Sequence, residues 1–173
     1  CDQGPAALVN GIAVSKLDEK RIHKMVGRIE AGIPISEWPD SLFVGKDNIR
    51  RRDKLLTDEF INGSAIGSFF ATGPDALLER LEQSGLRGRG GAGFQAGIKW
   101  RLCRGTAADE HYVVCNADEG EPGTFKDRVL LHSYAEPLFE GMSIAAGIVG
   151  SSKGLLYLRR EYLYMREALE KTL

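Results

Sequence analysis

Two polar stretches combine side chains whose types and spacing point to ligand chemistry. The first, GLRGRGGAGFQAGIKW at residues 85–100, interleaves glycines with cationic side chains before closing on Trp100. Glycine has no Cβ and reaches φ > 0. Successive backbone N–H groups at Gly88, Gly90, Gly91 and Gly93 can therefore converge on an oxygen anion, or let a flat ligand approach the chain. Arg89 and Lys99 add positive charge, and Phe94 and Trp100 offer apolar walls. The second stretch, NADEGEPGTFKDR at residues 116–128, sets Asn116, Asp118, Glu119 and Glu121 among glycines just ahead of or beside Pro122. Ionised carboxylates only accept hydrogen bonds, whereas an Asn amide both donates and accepts. Such a set suits hydroxyls, ring N–H groups or a carboxamide.

Each stretch has competing readings. Residues 88–93 match G-x-G-x-x-G letter by letter, but the dinucleotide fingerprint needs a strand before it, and a helix precedes this one. A Walker A loop fails, because no G-K-[ST] follows. An RGG segment would be repetitive and basic, and this run occurs once in a near-neutral chain. A ligand-free tight turn stays open, as does a solvated turn for the acidic stretch. A divalent metal on the carboxylates is disfavoured by Lys126 and Arg128 close behind and by spacing unlike an EF-hand.

The elements that must position these stretches read as follows. Residues 6–9 and a partner after Asn10-Gly11 form a hairpin, the dipeptide being a strong turn signal. Ser15 to Asp18 has a capping-box pattern, followed by Ile22, Met25, Val26 and Ile29 at helical spacing, with Gly32 and Pro34 ending the helix. Residues 34–71 read as a connector in which Arg50, Arg51 and Arg52 form either a solvated face or a docking surface. Thr72, Pro74 and Asp75 start a helix over 76–84, with Gly85 at its C′ position. A strand over 111–115, a helix over 135–149, a strand over 154–158 and a helix over 160–173 then give βαβα order, the signature of a parallel, buried-sheet α/β domain.

Composition bounds the rest. The 173 residues suit one compact domain with a short appendage, and a net charge of −1 gives no basic field for nucleic acid. No apolar run approaches the ~18 residues of a membrane span. Cys1, Cys103 and Cys115 show neither disulfide nor zinc spacing, and they fit free thiols in a reducing cytoplasm. A chain opening on Cys1 is expected to be a segment of something longer.

Residues 85–100 joined to 116–128 strongly resemble the NADH-binding flavoprotein subunit of respiratory complex I. They equally resemble its soluble relatives, the diaphorase subunit of NAD-reducing hydrogenases and the β subunit of NAD-dependent formate dehydrogenases. YLRREY at 157–162 also resembles the family's next strand and helix start, with Arg160 where a glycine is more usual. The resemblance implies a Rossmann-like FMN-binding domain. Gly88, Arg89, Gly90, Lys99, Asn116, Asp118 and Glu119 would contact FMN, within a glycine run that includes Gly91 and Gly93. Phe94 would stack on the incoming NAD(H), and Glu121 would bind near the nicotinamide. Gln95-Ala96 replaces the family's commoner Pro/Ser-Thr pair, and Leu102 replaces a second aromatic. No side chain is assigned as a catalytic acid or base.

CDQGPAALVNG at the start resembles the end of a thioredoxin-like [2Fe-2S] ferredoxin domain, which would make Cys1 the last ligand of its cluster. The implied organisation is the end of that domain at 1–33, the connector at 34–71, and the first part of an FMN/NADH-binding domain at 72–173. The implied function is an FMN-dependent NADH/NAD oxidoreductase module passing single electrons to [2Fe-2S] and [4Fe-4S] clusters. Its partners would be other subunits of a hydrogenase, formate dehydrogenase or complex I assembly. The alternative is a non-catalytic interaction module that keeps the fold.

Overall fold

The computed structural model describes residues 3–43, 56 and 60–173. Cys1 and the Arg50–Arg52 run lie outside the described residues. Among the described residues, hydrophobic clusters form near the start and around a parallel strand pair.

Strands β1 (Ala7–Val9) and β2 (Ile12–Val14) pair antiparallel. Asn10 and Gly11 turn between them, at φ 50° and 80°, as the dipeptide predicts. The expected capping box at Ser15 does not form. Lys16 donates its N–H to the Gln3 carbonyl at 2.7 Å and Leu17 to that of Pro5 at 2.8 Å, which holds residues 15–17 against the segment before the hairpin. Asp18 is the N-cap instead, accepting from the Arg21 N–H at 2.7 Å, and helix α1 (Glu19–Glu30) follows. Only Met25 of its apolar positions is buried, with Val14, Trp38 and Leu42; Ile22, Val26 and Ile29 face solvent.

The stretch read as a connector contains helix α2 (Ser64–Thr72), which packs on the strand-pair unit. It precedes α3 (Pro74–Gln83), with proline at its first position, and α4 (Ala96–Gly105). Strand β3 (Tyr112–Ala117) then leads through α5 (Lys126–Ser133) and α6 (Ala135–Val149) to β4 (Lys153–Leu158). The two strands pair in parallel, with Ala117 opposite Leu158. The expected helix over 160–173 is split: residues 160–165 wind as a 3₁₀ turn, and α7 (Arg166–Thr172) completes the described chain.

Helix α6 supplies the main wall of the second core. Ala117, Leu131, Phe139, Met165 and Leu169 are buried together, with Leu156, Leu158 and Tyr162 against them. The period of two along a strand explains which residues reach this wall. Val113, Cys115 and Ala117 turn toward it, while Tyr112, Val114 and Asn116 turn away. Among the described residues the sheet is covered on one face, and the expected burial of both is not seen: Val114, Leu155 and Tyr157 are more than half exposed on the other. Helix α2 docks on α6 where Gly147 lacks a side chain; a Cβ there would sit 2.5 Å from the Phe69 ring. The buried Glu140 of α6 accepts the Ile66 N–H of α2 at 2.7 Å.

Candidate functional site

The glycine run is a hairpin held between two helices. Gly85, at φ 64°, turns the chain out of α3, and residues 86–88 return alongside 94–96. The Gly88 N–H donates to the Phe94 carbonyl at 2.9 Å and the Ala96 N–H to the Leu86 carbonyl at 2.8 Å. Arg87 Nη1 donates to the Gly93 carbonyl at 2.9 Å, pinning the returning strand. What remains is a tip from Arg89 to Gly93, exposed as far as Ala92 and half-buried at Gly93, with Gly91 at φ 114° and Gly93 at φ 62°. Among the described residues, the N–H groups of Gly90, Gly91 and Gly93 make no backbone hydrogen bond. A Cβ built at any of the three meets nothing within 4 Å.

Helix α4 carries this hairpin on a tight seat. A Cβ at the buried Gly97 would lie 2.6 Å from Glu82 Cγ and 2.7 Å from its backbone N, so only glycine allows α4 to lie this close to α3. Arg101 then grips the Glu82 carboxylate with two hydrogen bonds, at 2.5 and 2.7 Å, and this guanidinium holds the carboxyl below its ordinary range. On another face of α4, Lys99 and Leu102 join Phe94 around a shallow recess. Phe94 is 52 % exposed, so its ring is open to solvent at the edge of this recess.

The acidic stretch begins inside β3, at Asn116 and Ala117, and its last three residues open α5. Asn116 Oδ1 accepts the Asp118 N–H at 3.0 Å, a local turn that leaves the Asp118 carboxylate exposed. Glu119 points the other way and is only 4 % exposed. Its Oε1 accepts the Asp127 N–H at 3.0 Å and its Oε2 the Arg128 N–H at 3.3 Å, both in the first turn of α5. Tyr162 donates its hydroxyl to the same Oε2 at 3.1 Å. A carboxylate at a helix N-terminus satisfies orphan N–H groups and meets the positive end of the helix dipole. Burial, and then the Glu119 hydrogen bond, push the Tyr162 phenol well above its ordinary range.

Arg159, the first residue after β4, closes the arrangement. Its backbone N–H donates to the Ala117 carbonyl at 3.2 Å. Its Nη1 donates to the carbonyl of Glu119, and its Nη2 donates to Glu161 Oε1 at 2.8 Å. That bond lowers the Glu161 carboxyl to about 2. Glu121 and Pro122 are exposed and line a cleft with Arg128, Arg159 and the Ala13 and Ser15 side of the first hairpin. Burial, followed by the nearby Asp127 carboxylate, raises the Cys115 thiol. Among the described residues, no three His, Cys, Asp or Glu side chains are grouped to hold a metal ion, and no helix is long and apolar enough to cross a membrane.

Residues 81–173 match the model of the Nuo51 FMN-binding domain. The chain belongs to this family. It is also 38 % identical, over 99 % of its length, to the NAD-reducing hydrogenase HoxS subunit alpha of Cupriavidus necator, covering 31 % of that protein. An NADH-quinone oxidoreductase subunit of Rhizobium meliloti is 42 % identical over 58 % of the chain and 24 % of its own length. A crystal structure of an NAD⁺-reducing [NiFe]-hydrogenase in the H₂-reduced state superposes with a TM-score of 0.89 at 47 % identity, covering 99 % of this chain and 31 % of that one. The chain thus spans under a third of the length of these relatives.

Both ligand-like stretches fall within the part matching the Nuo51 FMN-binding domain, and the structure divides their residues into two groups. Phe94 and Lys99 share the recess beside the glycine tip. Asn116, Asp118 and Glu119 share the ends of β3 and β4, with Glu119 turned inward and Asp118 outward. Sequence reasoning did not find the parts played by Arg87, Arg159 and Tyr162. The signal for the first was its place opposite Gln95 across a short hairpin. For the other two it was the parallel register, which sets the residues after Leu158 beside those after Ala117.

Proposed function

We propose that this chain forms the first part of the FMN- and NAD(H)-binding region of an NADH:acceptor oxidoreductase subunit, of the kind found in NAD-linked hydrogenases, formate dehydrogenases and complex I. The observation that carries the reading is the open glycine tip. Its N–H groups at Gly90, Gly91 and Gly93 are unused by the backbone, and Cβ-free space stands over them. An FMN molecule presents a phosphate anion, ribityl hydroxyls and a flat ring with acceptors and one N–H. The residues present fit that demand. Gly88 shapes the hairpin, while Gly90, Gly91, Gly93, Arg89 and Lys99 donate to anionic and acceptor oxygens. Asn116 and Asp118, exposed at the end of β3, accept from hydroxyls or the ring N–H, and parallel sheets commonly hold ligands at that end.

When bound, FMN would supply the redox chemistry that links two-electron exchange with a nicotinamide to one-electron exchange with iron-sulfur centres. The chain's own residues bind and orient. Phe94 and Leu102 give an apolar wall against which NAD(H) stacks, and Lys99 favours negative charge beside it. Glu121 accepts from the carboxamide of the nicotinamide and sets the ring's angle. Orientation of the two rings, rather than an acid or base, is what the protein contributes. Glu119 supports the site from inside, through α5 and Tyr162.

The finer architecture belongs to the same proposal. The β3–α5–α6–β4 unit is Rossmann-like, residues 1–33 end a thioredoxin-like [2Fe-2S] domain with Cys1 as a ligand, 34–71 connect while packing Trp38 and Leu42 on the first unit and α2 on the second, and 72–173 start the FMN domain. The longer subunit would also hold [4Fe-4S] clusters and work in the cytoplasm with other subunits. The test is the visible spectrum of the intact purified subunit. Two flavin absorption bands that bleach anaerobically on adding NADH are expected. A subunit that binds no flavin under any reconstitution would leave an interaction module as the better reading.

A further inference from the structure

The loop after β3 is held from across the sheet by Arg159. This side chain donates through Nη1 to the Glu119 carbonyl and through Nη2 to Glu161, and its guanidinium lies 6.0 Å from the centroid of the Tyr162 ring. Tyr162 in turn donates to the Glu119 carboxylate, whose remaining capacity goes to the first turn of α5. Both the backbone and the side chain of Glu119 are thereby tied to residues that follow β4. Asp118 is bonded to its neighbours through the Asn116 turn, and its charge lies close enough to act on the Arg159 guanidinium. Its place is set by the residue after it. The planar guanidinium is suited to this, because it offers two fixed donor directions to two acceptors at once.

We propose that Arg159 is a positioning residue for the flavin site: it fixes the height of the loop at Glu119, and so the aim of Asp118 and Asn116 at the flavin. The proposal rests on the reading of the site given above. The role assigned to Arg159 is this hold on Glu119 and Glu161, one bond from each terminal nitrogen, and not contact with the flavin.

The experiment uses the intact subunit, stripped of flavin, as wild type, Arg159→Met, Arg159→Lys and Glu161→Gln. Hydrogen exchange is followed over residues 116–128, and FMN affinity by quenching of flavin fluorescence. Arg159→Met is expected to speed exchange in this loop and to raise the FMN Kd about tenfold, the loss of one charge-assisted bond. The flavin-free Tm should stay within about 2 °C, since the core clusters are untouched. Arg159→Lys keeps the charge but not the fork that reaches both acceptors, so it should hold the Tm and recover only part of the affinity, and Glu161→Gln should change it by less than about threefold. Unchanged exchange in Arg159→Met would overturn the clamp whatever the flavin does. Faster exchange with an unchanged FMN Kd would overturn the positioning role. A large fall in Tm that Arg159→Lys does not rescue would make the residue merely structural and overturn it too. Failure of the wild type to bind FMN counts against the proposed function, while the exchange arm still decides the clamp.

Discussion

Tyr162 donates its hydroxyl to Glu119 Oε2 at 3.1 Å, so a residue past the end of β4 completes the bonding of a carboxylate past the end of β3. The same carboxylate takes two backbone N–H groups of α5. Replacing Glu119 with Ala orphans three donors in a buried place and should cost about 2–4 kcal/mol; Tyr162→Phe removes one and should cost about 1 kcal/mol. Thermal unfolding of the flavin-free intact protein should show that ranking. A Glu119→Ala protein as stable as wild type would show that its role lies with the ligand alone.

The two ionisable partners of this region set a pH window. The folded-state Glu161 carboxyl is depressed to about 2, so its contribution is present above the ordinary glutamate value near ~4.3 and fades as pH falls toward 2. Tyr162 is raised, so its neutral form favours the fold below ~pH 10, and this contribution fades as pH climbs higher. Unfolding midpoints measured across pH should lose part of their acid decline in Glu161→Gln and part of their alkaline decline in Tyr162→Phe. Parallel curves for wild type and both variants would contradict this.

Gly97 is the contact that brings α4 onto α3. Alanine there must push against the Glu82 backbone, not merely a mobile side chain, and should cost about 1–3 kcal/mol. Because α4 carries Lys99 and begins two residues after Phe94, the same change should weaken NADH binding in the proposed site. Both effects should be seen together in the intact subunit, by Tm and by KM. A neutral Gly97→Ala would mean that the two helices have room to part.

Much of this was legible in the residues, for reasons that differ by element. Helix α6 is long and apolar, so its observed bounds match those its sequence suggests, and Asn10-Gly11 fixed the first hairpin. Helix α5 was hidden, because its opening Lys126, Asp127 and Arg128 read as loop; its first-turn N–H groups are satisfied by Glu119, eight residues upstream of Asp127. Helix α2 was hidden by its flanking glycines and by a trans cap, Glu140, which no local pattern announces. The site motifs themselves were visible. The inward turn of Glu119 was not, although the alternation from Ala117 through Asp118 continues the period of β3 and could have given it.

In the proposed site, Glu121 is the residue that separates flavin binding from nicotinamide binding. It is exposed and precedes the rigid Pro122, with no part in the Glu119 clamp. In the intact subunit, Glu121→Ala should lower kcat/KM for NADH by roughly ten- to a hundredfold, the worth of about 1.5–3 kcal/mol of charge-assisted hydrogen bonding. Flavin content should stay near wild type. Loss of flavin with unchanged NADH kinetics per remaining flavin would instead make Glu121 a flavin-binding residue.

The glycine tip admits a test in which folding and ligand approach come apart. Gly90 lacks the positive φ of Gly91 and Gly93, and a Cβ on it meets nothing within 4 Å, so alanine fits the ligand-free hairpin without strain. If FMN lies over the tip, that methyl group must collide with it. Titration of FMN into the flavin-free intact subunit should therefore give a Kd at least about tenfold weaker for Gly90→Ala than for wild type, a difference of about 1.4 kcal/mol, with Tm unchanged. Equal FMN affinity in the two proteins would contradict a flavin seated on this loop.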